Sequence, residues 1–216
     1  MSVKNSIKHV CFDLDGTLVN SYNTILKTTI KTLDELKLES DFKEEDFYNR
    51  IGHHFADIFS DLNIPVPDIE HFINIYKGHY FDFIKDSDVY PSVMETLKSL
   101  KHKNIKISLL TTKGQDQADK IIDVFEMRDY FDLVMGRRIG LKIKPDPEPL
   151  LFICNELNVK PEETIMVGDS ELDVRCGYSA GAKTCSVTFG YRTKEALQKE
   201  NPDYIVDSLK EILSYV

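Results

Sequence analysis

Five short apolar runs, each closed by polar or turn residues, restrict this chain more than any other feature. They lie at residues 7–12, 105–110, 131–135, 164–167 and 184–187. The runs are near-continuous rather than alternating, the pattern of strands buried on both faces. Between the later runs, helical spacing marks residues 92–103, 115–127, 147–157 and 171–180. Strands alternating with helices of about 10 to 15 residues predict a mostly parallel sheet covered on both sides, a doubly wound α/β core.

Residues 22–85 break this rhythm. They carry helical periodicity and no strand-like run. Ile25, Thr29, Leu33 and Leu36 share one helix face; Phe47, Ile51, Phe55, Ile58, Phe59 and Leu62 mark a second region, broken at Gly52. Pro65-Val66-Pro67 interrupts the pattern, and Phe72, Ile75, Tyr76, Tyr80 and Phe83 form a third stripe. Aromatic stripes of this kind are core-forming faces. The organisation expected is a core of residues 1–20 and 87–216 with an inserted all-helical cap domain at 21–86.

In an open parallel sheet, ligands bind beyond the carboxyl ends of the strands. Four of the expected strand ends carry polar groups suited to one site. The first is Asp13-Leu14-Asp15-Gly16-Thr17, where one carboxylate can attack and its neighbour can carry a proton. The second is Thr111-Thr112-Lys113, read as a loop after residue 110. The third is Lys144-Pro145, and the fourth Gly168-Asp169-Ser170-Glu171-Leu172-Asp173. Each alone has an ordinary structural reading, the last as a helix cap. Their convergence in chain order points to catalysis.

With 216 residues the chain can bury a full core, and a net charge of -9 without a Lys/Arg block argues against nucleic-acid or anionic-membrane partners. Cys11, Cys154, Cys176 and Cys185 are widely spaced and lack a C-x-x-C pair, so they read as reduced. Residues 1–8 hold no apolar signal core, and no run reaches the roughly 18 apolar residues of a membrane span. A cytoplasmic protein is expected, monomer or homodimer, with a small partner.

Asp13-x-Asp15-Gly16-Thr17, Thr111, Lys144-Pro145 and Gly168-Asp169-x-x-x-Asp173 resemble, in order, the four motifs of the haloacid dehalogenase-like hydrolase superfamily. The resemblance spans essentially the whole chain and includes an insertion similar to the family's C1-type cap. Thr17-Leu18-Val19-Asn20-Ser21 and Lys144-Pro145-Asp146-Pro147 look most like the phosphoglycolate phosphatase branch. The resemblance implies Asp13 as nucleophile and Asp15 as general acid and base. It also implies Thr111, Thr112, Thr17 and Lys144 around the phosphoryl group. Asp13, the Asp15 carbonyl and Asp169 would ligate metal, with Asp173 orienting either a metal-bound water or Lys144.

Electrostatics lead to the same cofactor. Two unit charges about 4 Å apart repel by roughly 4 kcal/mol at an effective dielectric near 20. A phosphate dianion among several carboxylates therefore calls for more than one lysine, and an all-oxygen site suits Mg²⁺. Arg50-Ile51-Gly52-His53-His54 resembles the cap loop of related phosphatases, with Gly52 permitting close approach. His53 and His54 depart from the usual small or proline residues there, and are either leaving-group readers or partly exposed cap residues. Arg137, Arg138 and Lys142 form either a substrate-attracting or a solvated basic loop. The expected activity is a Mg²⁺-dependent phosphatase acting on a phosphoglycolate-like ester, nucleotide, sugar phosphate or pyrophosphate. A phosphomutase and a non-catalytic phospho-ligand sensor are the alternatives.

Overall fold

The first apolar run becomes the central strand β1 (His9–Phe12), buried along its whole length. In the computed structural model, which describes residues 6–216, the chain divides into two units. One is Met1–Leu18 with Val89–Val216, the other Val19–Asp88. At the passages between them, β2 (Val19–Asn20) and β3 (Asp88–Val89) pair as a separate ribbon.

The larger unit carries β4 (Lys106–Gly114), β5 (Leu133–Arg137), β6 (Thr164–Gly168), β7 (Lys183–Val187) and β8 (Tyr204–Val206). With β1 they form one six-stranded sheet of order β5-β4-β1-β6-β7-β8, parallel at every pairing. Val10 lies opposite Ile107 on one side and Ile165 on the other, and Phe12 opposite Leu109 and Val167. The order turns back at β1: the chain builds outward through β4 and β5, then returns to β6 on the other side. That switch leaves a crevice at the carboxyl end of β1.

The helices that cover the sheet follow the sequence pattern. They are α5 (Val93–His102), α6 (Gln115–Val124), α7 (Glu148–Glu156), α8 (Glu171–Ala180) and the short α9 (Lys194–Lys199). Leu150, Ile153 and Cys154 of α7 pack with Cys176 and Ala180 of α8 on Cys11, Leu110, Met135 and Met166 of the strands. All four cysteines are buried and unpaired.

One expectation is corrected. Thr111, Thr112 and Lys113 belong to the strand β4 and not to a loop after it. The β4–β5 register slips between Leu110 and Gly114. Beyond the slip the Gln115 side chain holds the two strands together: its amide nitrogen donates to Val134 O at 3.2 Å and its oxygen accepts from Gly136 N at 2.9 Å.

The second unit is built from α1 (Tyr22–Glu35), α2 (Glu44–Tyr48), α3 (Phe55–Asp61) and α4 (Ile69–Tyr80). Four threonines are buried in α1, an unfavourable place for hydroxyls unless they find acceptors. Thr24 donates to Phe83 O at 2.8 Å, and the other three bond one turn back: Thr28 on Thr24 O at 2.6 Å, Thr29 on Ile25 O at 2.8 Å and Thr32 on Thr28 O at 2.7 Å. Between α3 and α4 the core is aromatic. Phe59 meets Phe72 edge to face at 4.8 Å and Phe55 meets Tyr76 at 4.6 Å, geometries that ring quadrupoles favour. Asp68, just after the Pro65-Val66-Pro67 break, caps α4 by accepting from His71 N at 3.0 Å. Among the described residues, no helix is long and apolar enough to cross a membrane.

Candidate active site

Asp13 follows directly on β1, its backbone N–H still donating to Val167 O at 2.9 Å, so the ladder carries the first carboxylate to the edge of the crevice. The chain then turns sharply at Gly16 (φ +81°). A side chain there would be strained, and its Cβ would strike the Asp169 carboxylate. Gly168 ends β6 under the same constraint, because a Cβ would collide with Asp173. These two glycines let two later aspartates close on the first motif.

Lys144 joins the elements. Its ammonium donates to Asp13 Oδ1 at 2.7 Å and to Asp173 Oδ1 at 2.6 Å, and all three side chains are nearly inaccessible. The other Asp173 oxygen accepts from Ser170 N at 3.1 Å and Ser170 Oγ at 2.6 Å, fixing the first turn of α8. The helix-cap reading of this motif therefore holds, and the same carboxylate also accepts from Lys144. Asp169 Oδ2 accepts from Tyr191 N at 2.7 Å, and Thr17 Oγ1 donates to Asp169 Oδ1 at 3.4 Å. Asp15 Oδ2 lies 2.8 Å from Lys113 Nζ.

The electrostatics are strained toward the negative. Burial pushes the Asp13 carboxyl up to about 7, with Lys144 opposing the rise and Asp173 and Asp15 adding to it. Burial also drives Asp169 well above the usual carboxylate range, reinforced by Asp13 and Asp173 and opposed by the Tyr191 N–H and Arg192. Burial alone would lower the Lys144 ammonium, but the charges of Asp13 and Asp173 raise it above the ordinary lysine value and keep it protonated.

Asp13, Asp169 and Asp173 each place a carboxylate oxygen within 4.8 Å of the others. A buried, all-oxygen donor set with excess negative charge fits a hard divalent cation such as Mg²⁺.

The structure brings Asp13, Asp15, Thr17, Lys144, Asp169 and Asp173 together through the contacts above. Thr111 is buried in β4, its hydroxyl accepting from Lys113 N at 3.3 Å, with Thr112 half-buried beside it. The cap candidates lie in the second unit and are engaged there. Arg50 donates to Asp46 O at 2.6 Å and pairs with Asp61 at 3.4 Å. His54 caps α3 by accepting at Nδ1 from Ala56 N at 3.2 Å. Gly52 takes φ +101° and His53 is half-buried. In the basic loop, Arg138 donates to Gln115 Oε1 at 2.9 Å and Lys142 pairs with Asp146 at 2.9 Å.

Two features escape the sequence reading. Lys113 carries no role there, although it stands two residues from Thr111. The turn after β7 also reaches the site: Tyr191 donates to Asp169, and the buried Arg192 pairs with Glu171 at 2.9 Å. The signal for that turn lies in the sequence, since residues 184–187 form the fifth apolar run and polar Arg192 follows a few residues beyond its end.

Known proteins resemble this chain along nearly its whole length. The chain is 39% identical over 214 residues to a provisionally named pyrophosphatase PpaX of Clostridium perfringens, covering 97% of each chain. It is 33% identical over 211 residues to the pyrophosphatase PpaX of Bacillus mycoides, covering 96% of this chain and 95% of that one. Among solved structures, a phosphoglycolate phosphatase assigned by prediction from Haemophilus somnus superposes with a TM-score of 0.85 at 26% identity, covering 99% of each chain. The family model described as haloacid dehalogenase-like hydrolase matches residues 10–187, and this chain belongs to that family of hydrolases.

Proposed function

We propose that the protein is a Mg²⁺-dependent phosphatase that hydrolyses a small phosphorylated metabolite through an aspartyl-phosphate, with inorganic pyrophosphate first among the candidates. The observation that carries the reaction is the buried Lys144 bridging Asp13 and Asp173 beside Asp169. The pyrophosphate preference rests on relatives of that name matching along nearly the full chain.

In this reading Asp13 attacks phosphorus and Asp15 gives a proton to the departing oxygen, then takes one from the hydrolytic water. Lys144 steadies the attacking carboxylate and the phosphoryl oxygens, and Thr111 donates its hydroxyl to the same group. Thr17 and Thr112 line that pocket. Asp13, the Asp15 carbonyl and Asp169 would hold Mg²⁺, which supplies charge neutralisation for the phosphoryl group when bound. Asp173, with both oxygens already engaged, keeps Lys144 in place. Arg50, Gly52, His53 and His54 are the cap residues assigned to the rest of the substrate.

The test is a panel of inorganic pyrophosphate, phosphoglycolate, a nucleoside monophosphate and a sugar phosphate, ranked by kcat/KM with Mg²⁺ and again with EDTA. Pyrophosphate should rank first, with turnover lost on chelation and recovered with added Mg²⁺. A tenfold preference for any monoester would overturn the substrate, and indifference to EDTA would remove the metal.

A further inference from the structure

We infer that Lys113 selects the leaving group, favouring a phosphoanhydride over an uncharged alkyl ester. The inference deepens the pyrophosphate reading and rests on it. The larger unit places a lysine on each of its two leading aspartates, Lys144 fully buried and Lys113 half-buried: Lys144 Nζ is 2.7 Å from Asp13 and Lys113 Nζ is 2.8 Å from Asp15. An ordinary surface pair does not look like this. The Lys113 and Asp15 side chains are 10% and 9% exposed, whereas Lys101, paired with Asp132, is 39% exposed. Burial weakens solvent screening, so the Lys113 charge acts more strongly on what lies next to it.

Position gives that charge its role. If Asp15 meets the departing oxygen, an ammonium in contact with Asp15 is within one hydrogen-bond length of the same place. An alkyl leaving group needs a proton and departs as a neutral alcohol. The leaving group of pyrophosphate is itself a phosphate, which remains anionic after protonation and presents further oxygens that need donors. Lysine supplies a compact charge with three donors. Its backbone is fixed in β4, where Lys113 N donates to Thr111 Oγ1.

The chemistry balances without another reactant. An Asp13 carboxylate oxygen attacks one phosphorus, the P–O bond to the bridging oxygen breaks, and its electron pair stays on that oxygen. The bridging oxygen takes the proton from Asp15, and the departing hydrogen phosphate keeps two negative charges against Lys113. Water then attacks the aspartyl-phosphate, passing a proton to Asp15 as the P–O bond to Asp13 breaks and its electron pair returns to the carboxylate. Pyrophosphate and water become two hydrogen phosphates.

The experiment measures kcat/KM for inorganic pyrophosphate and for glycerol 2-phosphate, with Mg²⁺, in the wild type, Lys113→Met and Lys113→Arg. Removing a charge-assisted contact should lower the pyrophosphate-to-ester ratio about 30-fold in Lys113→Met, while Lys113→Arg keeps it within about threefold. A ratio that moves less than about twofold as both activities fall would overturn the inference, since Lys113 then only positions Asp15. Should Lys113→Met lose all turnover, calorimetric binding of imidodiphosphate and of inorganic phosphate reads the same preference. Loss of the diphosphate preference by about tenfold supports the inference and its retention overturns it. A wild type that prefers glycerol 2-phosphate overturns both this inference and the substrate reading; a wild type that prefers pyrophosphate, with an unchanged ratio in the variants, overturns this inference alone.

Discussion

The two ends of β1 bury polar groups in opposite ways. At the amino end, His9 lies between the neighbouring strands, its Nε2 2.8 Å from Ser108 Oγ and its Nδ1 3.1 Å from Thr164 Oγ1. Burial lowers the imidazole to about 4, against a smaller opposing pull from Asp132, so the ring is neutral and its hydrogen bonds are complete. Four residues along, burial, reinforced by neighbouring acids, pushes both Asp13 and Asp169 upward against the pull of Lys144 on Asp13. One end is polar for the sake of the fold. The other gathers buried acids around one lysine, an arrangement that costs the fold and that the proposed reaction would use.

The largest expected effect breaks the carboxyl end alone. Asp13→Asn should lower turnover on the order of 10⁴-fold, as removing a covalent participant does, with an unchanged circular dichroism spectrum. Retained Mg²⁺-dependent turnover would sink the nucleophile assignment. Next, Lys144→Met leaves Asp13 and Asp173 buried without their cation. A loss of about 3–5 kcal/mol is expected in urea unfolding, the size found when one partner of a buried pair is removed. A loss below about 1 kcal/mol would show that water or a rearranged cluster carries the charge instead.

The smallest effect sharpens the amino end. His9 titrates near 4 folded and 6.5 unfolded, so between those values the unfolded chain takes up a proton that the folded chain refuses. The His9 contribution is therefore full above pH 6.5 and lost as pH falls toward 4, about 3 kcal/mol in all. Asp13 opposes this in the metal-free protein. Its folded value near 7 exceeds the ordinary 3.8, so its contribution is full below pH 3.8 and lost as pH rises toward 7. Urea midpoints from pH 4 to 7 with EDTA should therefore lose their acid-side decline in His9→Gln. An identical slope in wild type and variant would refute the buried neutral ring.

The same contrast explains what was legible in the sequence. The core strands were readable because parallel strands are apolar on both faces, and Asp13, Lys144 and Asp169 stood out against such runs. β8 left no comparable trace, since Tyr204–Val206 is three residues between polar neighbours and pairs only because β7 offers an edge. The continuation of β4 was hidden for another reason. Thr111 to Lys113 looks like a polar loop, and the pairing of Gly114 with Arg137 together with the side-chain bonds of Gln115 to β5 holds it in the sheet. Lys113 is illegible in the sequence because a lysine three residues past an apolar run is ordinary until its partner Asp15, almost 100 positions earlier in the chain, is known. His9 reads as one more member of an apolar run, because its two hydroxyl partners come from strands remote in sequence.

The double engagement of Asp173 narrows what evolution or a designer could place there. One oxygen faces the Lys144 ammonium and the other the Ser170 N–H and hydroxyl, so the group must accept on both sides at once. An amide of the same shape offers one acceptor and one donor. Turned one way it sets N–H against an ammonium, turned the other against a backbone N–H. Asparagine, the least intrusive replacement by size, is thus excluded by polarity, and a change at this single position would disturb the start of α8 and the placement of Lys144 together.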